Sequence, residues 1–201
     1  MKKLFLAITA MMLLGCSNNV EPIKETYNPQ LPPITQVGAN TFGCKIDGVV
    51  MVPRNSIGYL PPGSDHYPVI VSRGINYEYR YIQAADRRKT QRGGVFLYLQ
   101  NIPNQNYFSI GEYNVFEGIS PSFLNDNYKN YIGVTRYKNG VALNYKSVEN
   151  SGKIIITKND NNIFSGTFYC KVKNVQAPYD VIDITEGRFD FGLNITTTNF
   201  P

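Results

Sequence analysis

The stretch Thr41-Phe42-Gly43-Cys44-Lys45-Ile46-Asp47-Gly48-Val49-Val50-Met51-Val52 decides the fold. Phe42, Cys44 and Ile46 alternate with Gly43 and Lys45, the period of a half-buried strand. Asp47-Gly48 is the sequence signal of a two-residue type I′ turn, so the whole stretch reads as a β-hairpin. Pro53 stops its second strand, and the prolines and glycines from Pro53 to Pro68 make 53–68 a loop that cannot continue a ladder.

Toward the C-terminus the same rhythm repeats. Strands are expected at Val69–Ser72, Asn76–Ala84, Val95–Ile102, Phe108–Val115, Tyr131–Tyr137 and Val141–Tyr145, the last two joined by an Asn139-Gly140 turn. Val95–Ile102 is apolar on both faces, which marks a central strand. Further strands follow at Lys153–Lys158, Ile163–Lys173, Val181–Thr185 and Arg188–Leu193, with turns read at Asn159–Asn162 and Glu186-Gly187. Ser120-Pro121 offers a cap and a first-turn proline for at most one short helix over 121–129. The expected fold is therefore all-β, an antiparallel β-sandwich or barrel-like meander of about ten strands.

Toward the N-terminus, Met1-Lys2-Lys3 opens an apolar run, Leu4 to Leu14, of about 11 residues, the length of a secretory signal core and too short to span a bilayer as a helix. Leu13-Leu14-Gly15-Cys16 resembles the lipobox of bacterial lipoproteins, which implies a signal peptide over 1–15, cleavage before Cys16 and acylation of its thiol. Two or three acyl chains on one cysteine anchor a protein stably at a bilayer. Residues 16–40, with Pro22, Pro29, Pro32 and Pro33 among Asn, Gln and Glu, read as a tether, and 41–201 as a single domain. Removing Lys2 and Lys3 leaves 18 basic against 15 acidic side chains. That field is too weak to argue for nucleic acid.

Chemistry-bearing residues are sparse. Cys44 and Cys170 lie 126 positions apart on apolar strand faces; outside the cytoplasm they could close a disulfide, or remain two buried thiols. Tyr77, Tyr79 and Tyr81 share a strand face and read either as cross-strand packing, the stronger account, or as a platform for a sugar ring. Arg87 and Arg88 belong to the basic turn Asp86–Gly94, read mainly as a solvated loop tip and otherwise as a contact for lipid head groups, phosphates or acidic glycans. His66 is the only histidine, in the Pro/Gly loop, so a histidine metal cluster is excluded. Asn159–Asn162 lacks the later glycine and glutamate of a calcium loop and reads as a hairpin turn. No phosphate-binding glycine loop, nucleophile elbow or Cys-x-x-Cys pair is present, and no catalytic residue, metal or cofactor is expected.

The segments LPPITQVGANTFGCKIDG (31–48), GKIIITKND (152–160), SGTFYCKV (165–172) and VIDITEGRFDF (181–191) resemble a family of Bacteroidetes lipoproteins defined by a domain of unknown function. The resemblance covers the tether, the first hairpin and the last strands. It implies export and a lipid anchor, and it carries over no activity or functional residue. The expectation is an outer-membrane lipoprotein bound to the bilayer through Cys16. Its body would be a noncatalytic binding or envelope-assembly module for a glycan or a partner protein, with a structural lipoprotein and a hydrolase of envelope or extracellular glycans as the alternatives.

Overall fold

The computed structural model describes residues 27–57, 67–73, 79–88, 93–100, 109–118, 129–160, 162–192 and 200. Among these are eleven strands and no helix: β1 (Thr41–Ile46), β2 (Val49–Met51), β3 (Val69–Arg73), β4 (Tyr79–Ala85), β5 (Gly94–Gln100), β6 (Gly111–Asn114), β7 (Tyr131–Lys138), β8 (Val141–Ser147), β9 (Lys153–Asn159), β10 (Phe164–Asn174) and β11 (Val181–Phe191). The all-β reading holds. The short helix considered over 121–129 falls almost wholly outside the described residues, as do Cys16, His66 and Tyr77.

One antiparallel sheet runs β2-β1-β11-β10-β8-β7-β5-β4-β3. β10 is long enough to take β9 along Phe164–Tyr169 and β8 along Val172–Asn174, and β6 pairs with β9. The first hairpin forms as expected, with Asp47 at φ 53° and Gly48 at φ 77°, and Asn139 and Gly140 repeat that conformation between β7 and β8. Among the described residues no strand ladder closes the sheet. It nevertheless wraps one core: Phe42 and Cys44 from β1, Ile82 from β4, Leu97 from β5, Val134 from β7 and Ile184 from β11 belong to a single buried cluster.

Glu186-Gly187, expected as a turn, is instead a β-bulge inside the continuous strand β11. Both ladders of β11 shift register there, against β1 between Gly43 and Lys45 and against β10 between Phe168 and Cys170. Side chains alternate along a strand, so an extra residue exchanges the faces. Ile182 and Ile184 before the bulge and Phe189 and Phe191 after it therefore all reach the core.

Of the segment read as a tether, residues 27–40 lie along the body. Gly43 admits this, because a Cβ there would stand 2.7 Å from Pro32 Cδ. The carboxylate of Asp190, 1% exposed, binds the segment: it accepts hydrogen bonds from Thr35 Oγ1 (2.6 Å) and from the amides of Val37, Gly38 and Ala39 (3.0, 2.9 and 3.2 Å), and from Ser165 Oγ (2.6 Å) on its own sheet.

Candidate functional site: the open mouth of the sheet

Where the core face runs out at one end of the body, a cleft of about 550 Å³ opens. Its apolar wall comes from the first hairpin. Val49 and Met51 pair directly with Ile46 and Cys44, so they share the core-facing side of that hairpin. Val49 is 64% exposed in the opening, whereas its partner Ile46 is 7% exposed. The opposite wall comes from the ends of β4, β5 and β7: Asp86, Arg88, Gly93, Thr135, Arg136 and Tyr137. Alternation puts Arg136 on the same side as Ile132 and Val134, so the buried stripe of β7 ends in a guanidinium at the rim. Mouths of barrel-like sheets are a recurrent place for ligand pockets, and pockets of about 300–1,000 Å³ serve small ligands.

The floor holds a buried ion pair. Arg54, just past β2, donates from Nε and Nη2 to the two carboxylate oxygens of Asp86, at 3.0 and 2.9 Å, and its guanidinium carbon stands 3.4 Å above the ring of Tyr27. A parallel bridge between Arg54 and Asp86, with the Arg87 amide donating to the Arg54 carbonyl at 3.0 Å, pins the residues after β2 to the end of β4. The Arg88 amide also donates to Asp86, at 3.1 Å. Arg136 meets only the exposed tip of the first hairpin in this network, reaching Asp47 at 3.3 Å.

The expected site residues separate. Arg88 lines the mouth, and Arg87 beside it is buried, its Nε donating to the Tyr67 carbonyl at 3.2 Å. The reading of Asp86–Gly94 as a solvated loop tip is thus corrected for Asp86 and Arg87, which the Arg54 bridge draws into the body, while Arg88 is half-buried; 89–92 lie outside the described residues. Tyr79 and Tyr81 stand elsewhere, on the outer face, half-buried and stacked across strands on Tyr98 and Phe96 at 5.5 Å each. Tyr131 continues the stack at 5.2 Å from Tyr98. The geometry is that of cross-strand packing.

Cys44 and Cys170 are both free thiols in the core. Burial pushes Cys44 up to about 12 and raises Cys170 as well, with Cys44 and Asp183 adding to the latter, so neither is a ready nucleophile. Asp160 accepts the Asn162 and Ile163 amides as a turn residue does, at 3.2 and 3.0 Å. The carboxylates of β11 are also engaged: Asp183 with Lys171, Glu186 with Lys45 and Arg188, and Asp190 with the donors described above. No group of histidine, cysteine and acidic side chains fit to hold a metal occurs among the described residues.

Arg54, Asp86, Arg136 and Tyr27 were not legible as one site. They come from four separate stretches, and no local pattern announces that Arg54, past the hairpin, will bridge to the end of β4. No known protein family, curated protein or solved structure matches the chain.

Proposed function

We propose that the chain is a lipid-anchored binding module of the bacterial cell envelope, held at the outer membrane through acylated Cys16, with its ligand site in the mouth. The resemblance of its terminal segments to Bacteroidetes lipoproteins supports the location, and the lipobox-like Leu13–Cys16 supports the anchor. One observation carries the binding reading: Val49, on the core-facing side of the first hairpin, is left 64% exposed at an opening whose lining also carries Arg88 and Arg136. Exposed apolar surface rimmed by polar groups is the mark of a ligand site.

Hydrolysis of a glycan would call for two carboxylates about 5–9.5 Å apart in one cleft. Among the described residues, Asp86 is the sole carboxylate lining this one, and its oxygens are turned onto Arg54. That favours binding without catalysis.

A thermal-shift screen of the full chain against envelope glycans, acidic lipids and peptides tests the reading. A ligand at 100 times its dissociation constant adds about 2.7 kcal/mol, or roughly 5–10 °C for a body of this size. The expected result is such a shift from at least one class, abolished by Val49→Glu in the mouth. A shift that persists in that variant, or none from any class, overturns it.

A further inference from the structure

The two walls of the mouth differ in chemistry, and the inference drawn from this rests on the mouth being a binding site. Ile46, Val49 and Met51 form a strip of aliphatic surface leading into the core, with no polar side chain among them. Among the described residues the rest of the lining carries two guanidinium groups, Arg88 and Arg136, and one carboxylate, Asp86. Asp86 already receives both nitrogens of Arg54 and the Arg88 amide, so it is not turned toward a ligand cation. The Arg136 contact with Asp47 is made at 3.3 Å between side chains 34% and 56% exposed, a water-screened pair that a bound anion can displace. Guanidinium groups bind carboxylate and phosphate through paired hydrogen bonds.

We propose that the mouth binds a single aliphatic chain ending in an anionic head, a carboxylate or a phosphate. The chain lies along Ile46, Val49 and Met51, and the head meets Arg88 and Arg136. A neutral sugar would bury hydroxyls against the valines and bring no charge to the cationic part of the lining. Two sources share the chemistry, a free fatty acid and a single-chain lipid phosphate.

Isothermal titration of the full chain in zwitterionic nanodiscs tests the assignment with four probes: sodium octanoate, octyl phosphate, octyl glucoside and sodium acetate. Octanoate or octyl phosphate is expected to saturate one site, with octyl glucoside and acetate at least about tenfold weaker. The tighter of the two charged probes tells a fatty acid from a lipid phosphate. Arg136→Gln and Val49→Glu should each weaken that probe about tenfold or more, and melting of each variant in the same nanodiscs separates loss of the site from loss of the fold. Octyl glucoside binding as tightly as octanoate overturns the anionic head yet keeps the mouth as a binding site. Saturation by none of the four, or an Arg136→Gln variant that melts normally and binds undiminished, overturns the inference, and the thermal-shift screen then decides separately whether the mouth binds anything else.

Discussion

Single residues hold the parts of this body that the sheet alone does not. Burial by itself opposes ionisation of Asp190, but hydrogen bonds from Ser165, Thr35, Ala39 and Gly38 outweigh it and hold the carboxyl at about 2, below its ordinary 3.8. A depressed folded-state value means that the stabilisation is present in full above about pH 4 and is lost as pH falls toward 2. Asp190→Asn should therefore cost about 2–4 kcal/mol at neutral pH, and the cost should shrink on approach to pH 2, as urea unfolding at both ends of that window would show. The Arg54–Asp86 pair obeys a different logic, because its side chains are 5% and 7% exposed. Removing one partner strands a charge, so Asp86→Asn should cost about 3–5 kcal/mol, whereas replacing both by apolar residues, as in Arg54→Met with Asp86→Leu, should recover most of it in a double-mutant cycle. None of this was legible in the sequence. Arg87 and Arg88 stood out as charge, but whether a charge meets water or a buried carboxylate depends on where a chain segment more than thirty residues away comes to rest.

Strands and turns were far more legible than the residues that join them. Alternation identified β1 and β9 because one face of each is buried, a run apolar on both faces identified β5, and Asp47-Gly48 and Asn139-Gly140 announced their hairpins because few other pairs adopt positive φ so readily. The failure at Glu186-Gly187 is instructive, since a bulge and a tight turn both ask for a residue in the left-handed region. The two differ only in whether the partner strands continue alongside, and that is long-range information. The bulge makes its own prediction. Glu186 sits at φ 51°, and a β-branched residue is poorly accommodated there. Glu186→Val should destabilise by about 1–2 kcal/mol, while Glu186→Gly should stay within about 1 kcal/mol of neutral despite losing exposed ion pairs to Lys45 and Arg188. Gly187→Ala should be worse than Glu186→Gly, because the added methyl would stand 2.5 Å from the ring of Phe168. Chemical denaturation of the three variants ranks them.

As a whole molecule, the chain is a sheet wrapped on one core, bound along its outside by residues 27–40 and left open at the mouth. The fold class followed from composition and rhythm, whereas the mouth did not: it is lined by β2 together with residues at the ends of β4, β5 and β7, and Arg54 past β2 bridges to Asp86 past β4, a meeting that hydrophobic periodicity does not encode. The proposed binding function depends on where the body is kept, because a ligand of the envelope is met there only by a protein that stays at the membrane. On the proposed reading the anchor is separate from the body: two or three acyl chains on Cys16 would hold it at the bilayer. Intact-mass spectrometry of the protein extracted from its own envelope tests that claim most directly. The account predicts a chain that begins at Cys16 and carries the added mass of two or three acyl groups; a chain that begins elsewhere, or an unacylated Cys16, would contradict it.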